Sequence, residues 1–114
     1  MIDRKRVVAL YEDIGAEEFG PLVEMFMEEI EAMILALDMS APAALPHRLQ
    51  VLKGSASSLG LRALGIKCDL WARAAARGRV EDLDPAALMA CHARSRQLLR
   101  RDFAVLAAGP EAVA

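Results

Sequence analysis

Four residues with small or polar side chains share one face of a predicted helix in the middle of the chain. They are Gln50, Lys53, Gly54 and Ser57. At about 100° per residue, they cluster roughly 130° away from the leucines that the same helix should bury. Lysine on such a face could balance an anion, and a carboxamide could donate and accept hydrogen bonds. A glycine inside a helix costs about 1 kcal/mol relative to alanine, so we expect a close approach to Gly54.

The segment around these residues resembles the signature helix of histidine-containing phosphotransfer (HPt) domains. Residues 50–56 read QVLKGSA, where the family has His-x-x-Lys-Gly followed by small residues. The resemblance implies that position 50 is the place of the phosphoacceptor and that Lys53 balances the phosphate charge. It also implies that Gly54 makes room for a docking receiver domain, with Ser57 facing the same partner. The match continues at three further positions, Gly60, Leu64 and Cys68.

Gln50 departs from the family pattern at its reactive position. The lone pair of a carboxamide nitrogen is delocalised into the carbonyl, so the group is a poor nucleophile. It also cannot carry a proton near neutral pH as imidazole can. We therefore expect that Gln50 is not phosphorylated, although it can hydrogen-bond to a docked partner from the same place.

The two histidines are the other candidate acceptors. His47 lies one turn before Gln50, roughly 60° round the helix, and should be exposed. It is a possible alternative acceptor, but Lys53 would lie six residues away and Pro46 places His47 near the first turn. A surface histidine without a role is the commoner interpretation. On the last helix, His92 should be packed or half-buried.

No spacing in the sequence is typical of a metal site or of a disulfide framework. Cys68 stands alone and Cys91 is adjacent to His92, so we expect two reduced, buried thiols. The sequence predicts neither a metal nor a cofactor.

Composition indicates one all-α domain over residues 1–114. Hydrophobic residues make up 55% of the chain and charged residues 26%, which is typical of a globular protein. The sequence contains no Thr and no Asn, and strong helix formers dominate it.

Five amphipathic helices are predicted, and their short connections favour an antiparallel four-helix bundle (HPt-like) with a short N-terminal cap helix. The first two predicted helices are 4–14, capped by Asp3 and ended by Gly15, and 16–38, unless Pro21 moves its start to Gly20. A loop over 39–42 follows, with Ser40 or Ala41-Pro42 opening a third helix that Gly60 ends. The last two are 62–77, ended by Gly78, and 85–107, opened by Asp84-Pro85 and stopped by Gly109-Pro110. Predicted core seams are Phe19, Val23, Phe26, Ile30, Met33 and Leu37; Leu45, Leu49, Leu52, Ala56 and Leu59; Leu61, Leu64, Cys68, Trp71 and Ala75; and Leu88, Leu99, Phe103 and Leu106. Met25 and Met27 should flank the first seam, with one of them exposed beside the polar face.

Charge and hydropathy argue against nucleic acid and membranes as partners. The formal net charge is only −2, and five aromatic residues give the arginines of the last two helices no stacking platform. No stretch approaches the roughly 20 apolar residues that span a bilayer, and the N-terminus lacks the apolar core of a signal peptide. We expect a cytoplasmic protein.

The resemblance implies a bacterial two-component phosphorelay, in which the chain docks a response-regulator receiver or a histidine kinase through the face of Gln50, Lys53 and Gly54. We expect a monomer that binds without carrying phosphate and has no catalysis of its own. Three alternatives stay open: active phosphotransfer through His47, a natural histidine replaced by Gln50, and a structural helical module that self-associates.

Overall fold

All regular secondary structure is helical in the part of the chain that the computed structural model describes, residues 2–108. Five α-helices lie in this range: α1 (Arg4–Ile14), α2 (Ala16–Leu35), α3 (Leu45–Ser58), α4 (Arg62–Ala76) and α5 (Pro85–Ala108). Short 3-10 turns precede α3 and α5, at Pro42–Ala44 and Val80–Asp82. The all-α prediction is confirmed. The predicted burial of Leu106 and the predicted stop at Gly109-Pro110 lie outside the described side chains and residues.

The helices begin and end largely where their capping residues predict. The Asp3 carboxylate accepts a hydrogen bond from the backbone N–H of Arg6 (3.3 Å), which satisfies one free donor of α1. At the start of α5, Asp84 accepts from the backbone N–H of Ala86 (3.0 Å), and Pro85 takes the first helical position. The three predicted glycine ends are also confirmed, because each has a positive φ: Gly15, Gly60 and Gly78.

Helix α2 begins at its predicted residue but ends earlier than predicted. It begins at Ala16 and contains Pro21, so the alternative start near Gly20 is wrong. It ends at Leu35, three residues before the predicted Asp38. The reason is a local turn: the Asp38 carboxylate accepts a hydrogen bond from the backbone N–H of Ser40 (2.9 Å), which favours a turn over further helix.

The buried stripe of α2 is also shifted from the predicted seam. Phe26 is 36% exposed, and Met33 and Leu37 are half-buried. Met27 and Ile34 are fully buried in their place. The shift arises because α2 packs against α5 as well as α3, so its core stripe turns towards α5 and leaves Phe26 at the edge. The resulting stripe is Phe19, Val23, Met27, Ile30 and Ile34.

Helices α2, α3, α4 and α5 surround one hydrophobic core. Both α2 and α4 contact α3 and α5, while α1 packs on α2. The predicted leucine stripe of α3 is confirmed, since all five of its residues are at most 5% exposed. The α4 seam is confirmed except that Trp71 is half-buried and Ala72 is buried beside it. None of the described helices is long and apolar enough to cross a membrane.

A buried histidine ties α5 to α2. His92 is 3% exposed, and its Nε2 lies 2.9 Å from the carbonyl oxygen of Met27. Because a carbonyl can only accept, Nε2 must carry the hydrogen and donate it. The prediction of a packed histidine is confirmed, and this bond occupies the ring nitrogen that faces the core.

Glu24 joins the same two helices through ion pairs. Its Oε1 accepts from Arg100 Nε (2.8 Å), and its Oε2 accepts from Arg96. The hydrogen bond from Arg100 is the largest cause that holds the pKa of Glu24 at about 2, below its ordinary 4.5; burial opposes the shift and Arg96 supports it. The ionised form of Glu24 therefore adds to the α2–α5 contact.

We predict that Glu24→Gln lowers the free energy of unfolding by about 1 kcal/mol at neutral pH, a modest value because solvent screens a side chain that is 35% exposed. A folded-state pKa below the unfolded one stabilises the fold fully above about pH 4.5, and this contribution is lost as the pH falls towards 2. Urea unfolding at pH 7, 4 and 2.5 measures this. The difference from the parent protein should shrink with falling pH, whereas exposed Glu28→Gln should show little difference at any pH. A constant difference for Glu24→Gln would contradict the ion-pair account.

Candidate functional site

The predicted polar face forms an exposed ridge along α3. Gln50, Gly54 and Ser57 are exposed and Lys53 is half-buried, while the leucines of the same helix point into the core. The four residues occupy one side because their spacing of three and four residues repeats the helical turn. We call Gln50, Lys53, Gly54 and Ser57 the α3 ridge. The structure thus brings together the four residues singled out from the sequence.

Lys53 is paired with a carboxylate that sequence reasoning missed. Its Nζ donates to Asp69 Oδ1 on α4 (3.1 Å), and Arg73 Nη2 lies 3.1 Å from the other oxygen, Oδ2. The hydrogen bond from Lys53 is the largest cause that lowers the pKa of Asp69; burial opposes it, and the charge of Arg73 and the Gln50 carboxamide add to it. Asp69 is therefore ionised at neutral pH and neutralises part of the ridge.

The spacing of Asp69 and Arg73 was the only sequence signal for this cluster. Residues four apart on a helix are neighbours, so that pair was visible on α4. Lys53 is 16 positions from Asp69, and only the packing of α3 against α4 brings them together. Lys53 and Asp69 are 42% and 22% exposed, and exposed pairs contribute only about 0–1 kcal/mol. An approaching anion could therefore replace Asp69 as the partner of Lys53 at little cost.

Gly54 leaves an open surface at the centre of the ridge. A Cβ added at this position would have no heavy atom within 4 Å. The Ser58 hydroxyl donates to the Gly54 carbonyl oxygen (3.0 Å), and this bond stays within the helix. Nothing in the fold itself requires a glycine here.

Ser57 faces α4 more closely than the sequence indicated. A Cβ added at Gly65 would lie 3.3 Å from the Ser57 Oγ, so these two small residues allow α3 and α4 to approach each other. Ser57 remains exposed, but part of its role is packing. Of the four ridge residues, Ser57 has the weakest structural support for a contact with a partner.

Apolar side chains flank the ridge on the side of α2. Val51 is 44% exposed, and an open groove between α2 and α3 is lined by Met33, Val51 and His47. The methionine beside the ridge is thus Met33. Met27 is fully buried, and Met25, 46% exposed, is not among the residues that line this groove.

His47 is exposed, as predicted, at the edge of that groove. It follows Leu45 and Pro46 in the first turn of α3, so its backbone is firmly placed. The other groove-lining residues are Met33, Ala36, Ala44, Arg48 and Val51, and Arg48 is the one cation among them. The Lys53–Asp69 cluster is not part of this lining, and His47 therefore lacks the lysine that accompanies position 50.

The thiols offer no reactive group to the ridge. Burial raises the pKa of the Cys68 thiol to about 12, so it stays protonated. Cys91 is half-buried rather than buried as predicted, because it lies at the edge of the inner face of α5. Both cysteines are free. Within residues 2–108, no group of three or more His, Cys, Asp or Glu is placed to hold a metal ion.

Comparisons with known proteins identify no relative of this chain. No family model, no curated protein and no solved structure matched it. What the site does must therefore be inferred from the residues of the α3 ridge and their surroundings.

Proposed function

We propose that this protein is an HPt-like adaptor of a bacterial two-component phosphorelay. It docks a response-regulator receiver, or a histidine kinase, through the α3 ridge and does not carry phosphate at Gln50. By occupying a receiver it competes with an active phosphotransfer protein. The observation that carries the proposal is an open Gly54 next to Lys53 and one turn after the carboxamide of Gln50, at the spacing that resembles the phosphotransfer motif.

The helix contacts support the HPt-like architecture on which the proposal depends. We interpret α2, α3, α4 and α5 as an antiparallel four-helix bundle, because α2 and α4 each contact both α3 and α5. The short α1 packs on α2 and takes the part of the N-terminal cap. In this arrangement the α3 ridge lies on the outside of the bundle, where a globular domain can reach it.

The chemistry of Gln50 supports docking without transfer. A phosphoryl group moves to a good nucleophile, and the carboxamide is a poor one because the lone pair of its nitrogen is delocalised into the carbonyl. Gln50 is exposed and can still donate and accept hydrogen bonds at the centre of an interface. The nearby apolar groove adds Val51 and Met33, and methionine adapts well to partners of different shape. Such an interface is expected to be small and transient.

The ammonium group of Lys53 would pair either with Asp69 or with an anion of the docked receiver. In the free protein its charge is balanced by Asp69. A receiver presents an aspartate or aspartyl phosphate to the partner that docks on it, and this anion can compete for Lys53. We therefore expect Lys53 to favour acidic receivers while Asp69 keeps the unbound ridge close to neutral.

The proposal predicts that Gly54→Gln weakens binding to purified receiver domains of the same genome at least tenfold. Titration calorimetry with each receiver measures the effect. Gly54 is exposed and an added Cβ meets no heavy atom within 4 Å, so the fold should tolerate the longer side chain while the partner loses its approach. Ala93→Gln makes the same kind of change at an exposed site on α5, across the bundle from α3, and should leave the affinity unchanged. Equal affinities for both variants would count against docking at the ridge.

Two alternatives predict phosphorylation instead. In the first, His47 accepts phosphate; in the second, the natural residue at position 50 is histidine and an ordinary phosphotransfer protein results. His47 is exposed, so a receiver could reach it, and this is the one structural observation that favours the first alternative. Labelling of the unaltered protein and of its His47→Ala variant separates the first alternative from the adaptor.

A further inference from the structure

Charge is strongly segregated along the chain although the net charge is small. Residues 7–47 contain nine carboxylates and no Lys or Arg. Residues 48–79 contain seven Lys or Arg and one carboxylate, Asp69, which is itself paired with Lys53 and Arg73. The first segment includes α2 and the second includes α3 and α4.

The fold places the acidic and the basic helix at opposite corners of the helix ring. Helix α2 and helix α4 each contact α3 and α5, which therefore lie between them. The two helices have 20 and 15 residues, or about 30 Å and 22 Å of length. Each turns one long outer face away from the core, and these outer faces point in roughly opposite directions.

The outer face of α4 combines aliphatic side chains with cations. Ile66 and Leu70 are 48% and 59% exposed and lie one turn apart. Exposed arginines precede and follow them at helical spacing. We call this set the basic face: Arg62, Ile66, Leu70, Arg73 and Arg77.

The outer face of α2 is similar in pattern and opposite in charge. Met25 and Leu35 are 46% and 70% exposed. The exposed Glu18 lies seven residues before Met25, and the exposed Glu28 lies three residues after it, so all three are on the same side of the helix. We call this set the acidic face: Glu18, Met25, Glu28, Ala32 and Leu35.

We propose that two copies of this chain associate head to tail, with the acidic face of one copy on the basic face of the next. Each face supplies exposed apolar side chains and charges that the other face complements. A pairing of two identical faces would oppose like charges and is disfavoured. Because the two faces differ and lie on opposite sides, the contact does not close at two copies and can add further ones.

The association should be weak and sensitive to salt. A single helix pair falls at the low end of specific interface sizes, so dilute protein is monomeric. At 0.15 M salt the Debye length is about 8 Å, and raising the salt further screens the pairing of exposed charges. The inference does not depend on the proposed docking of a receiver at the α3 ridge.

Sedimentation velocity from micromolar to millimolar protein tests this with two variants. Leu70→Asp places an anion in the basic face, and Leu35→Lys places a cation in the acidic face; both side chains are more than half exposed, so the fold should tolerate them. The parent protein should increase in mass with concentration, with an association constant at least tenfold lower at 1 M salt. Each variant alone should remain monomeric, and their equimolar mixture should form a dimer and nothing larger, since one intact pair of faces remains.

The outcomes decide between this contact and other uses of the faces. Ala93→Glu, on α5 and outside both faces, should associate like the parent. A parent protein that stays monomeric at millimolar concentration would overturn the inference, as would a variant mixture that stays monomeric. Binding to phosphatidylglycerol vesicles without self-association would also overturn it, because the basic face would then serve an anionic surface.

Discussion

Gln50→His should become labelled when it is incubated with phosphorylated receiver domains, while the unaltered protein stays unlabelled. The variant restores a nucleophile at an exposed position one turn before Lys53. Lys53 already lies along the ridge, and its pair with Asp69 is weak enough to exchange for a phosphoryl group. The unaltered protein should carry no detectable label, whereas a substantial fraction of the Gln50→His molecules should be phosphorylated. Transfer of radiolabelled phosphate, followed on gels, measures it.

Two control variants show whether the label is on the histidine at position 50. Gln50→Ala should stay unlabelled, because it opens the site without adding a nucleophile. His47→Ala made together with Gln50→His should still be labelled. If the unaltered protein takes label and His47→Ala does not, the acceptor is His47 and the adaptor proposal is wrong. If Gln50→His takes no label from any donor, docking of receivers at the ridge loses its main support.

Gly60→Ala should be the most destabilising of the glycine substitutions, with a loss of roughly 2 kcal/mol or more in the free energy of unfolding. Gly60 follows α3 with φ +75°, a conformation that costs other residues about 1–2 kcal/mol. An added Cβ would also lie 2.9 Å from the backbone oxygen of Asp3 and 3.2 Å from a methyl group of Val7. The clash threatens the start of α1, because the backbone N–H of Asp3 donates to the Gly60 carbonyl oxygen (2.8 Å).

Gly78→Ala is the matched control for this prediction. Gly78 has nearly the same φ, +76°, but an added Cβ has no heavy atom within 4 Å, so only the backbone strain remains. Its loss should be clearly smaller than that of Gly60→Ala. Gly54→Ala should change the free energy in the opposite direction, by about 1 kcal/mol, because it removes a helix-interior glycine without a clash. Urea midpoints give all three values, and equal losses at Gly60 and Gly78 would contradict the close contact of Gly60 with α1.

Local signals predicted much of the fold and of the site. Asp3, Asp84 and Gly60 fix helix ends through bonds and angles that involve only their neighbours, and the leucine stripe of α3 follows from helical spacing alone. The same spacing placed Gln50 and Gly54 together on the exposed face.

What the sequence could not provide depends on contacts between helices. The core stripe of α2 includes Met27 rather than Phe26 because α5 packs beside it, and spacing on one helix carries no information about its neighbours. Asp69 was missed for the same reason, since its pairing with Lys53 requires the packing of α3 on α4. The end of α2 was missed because an Asp at position 38 is compatible both with a last helical turn and with the turn that its carboxylate forms with the Ser40 N–H.

The most direct test of the central claim is to mix the unaltered protein with a phosphorylated receiver from the same genome and to follow both the complex and the label. Size-exclusion chromatography separates the complex from its components, and the radioactivity of each polypeptide shows where the phosphate lies. The adaptor proposal predicts a complex in which the phosphate stays on the receiver and is lost only by hydrolysis. Phosphate found on this protein, or no complex with any receiver, would contradict the proposal.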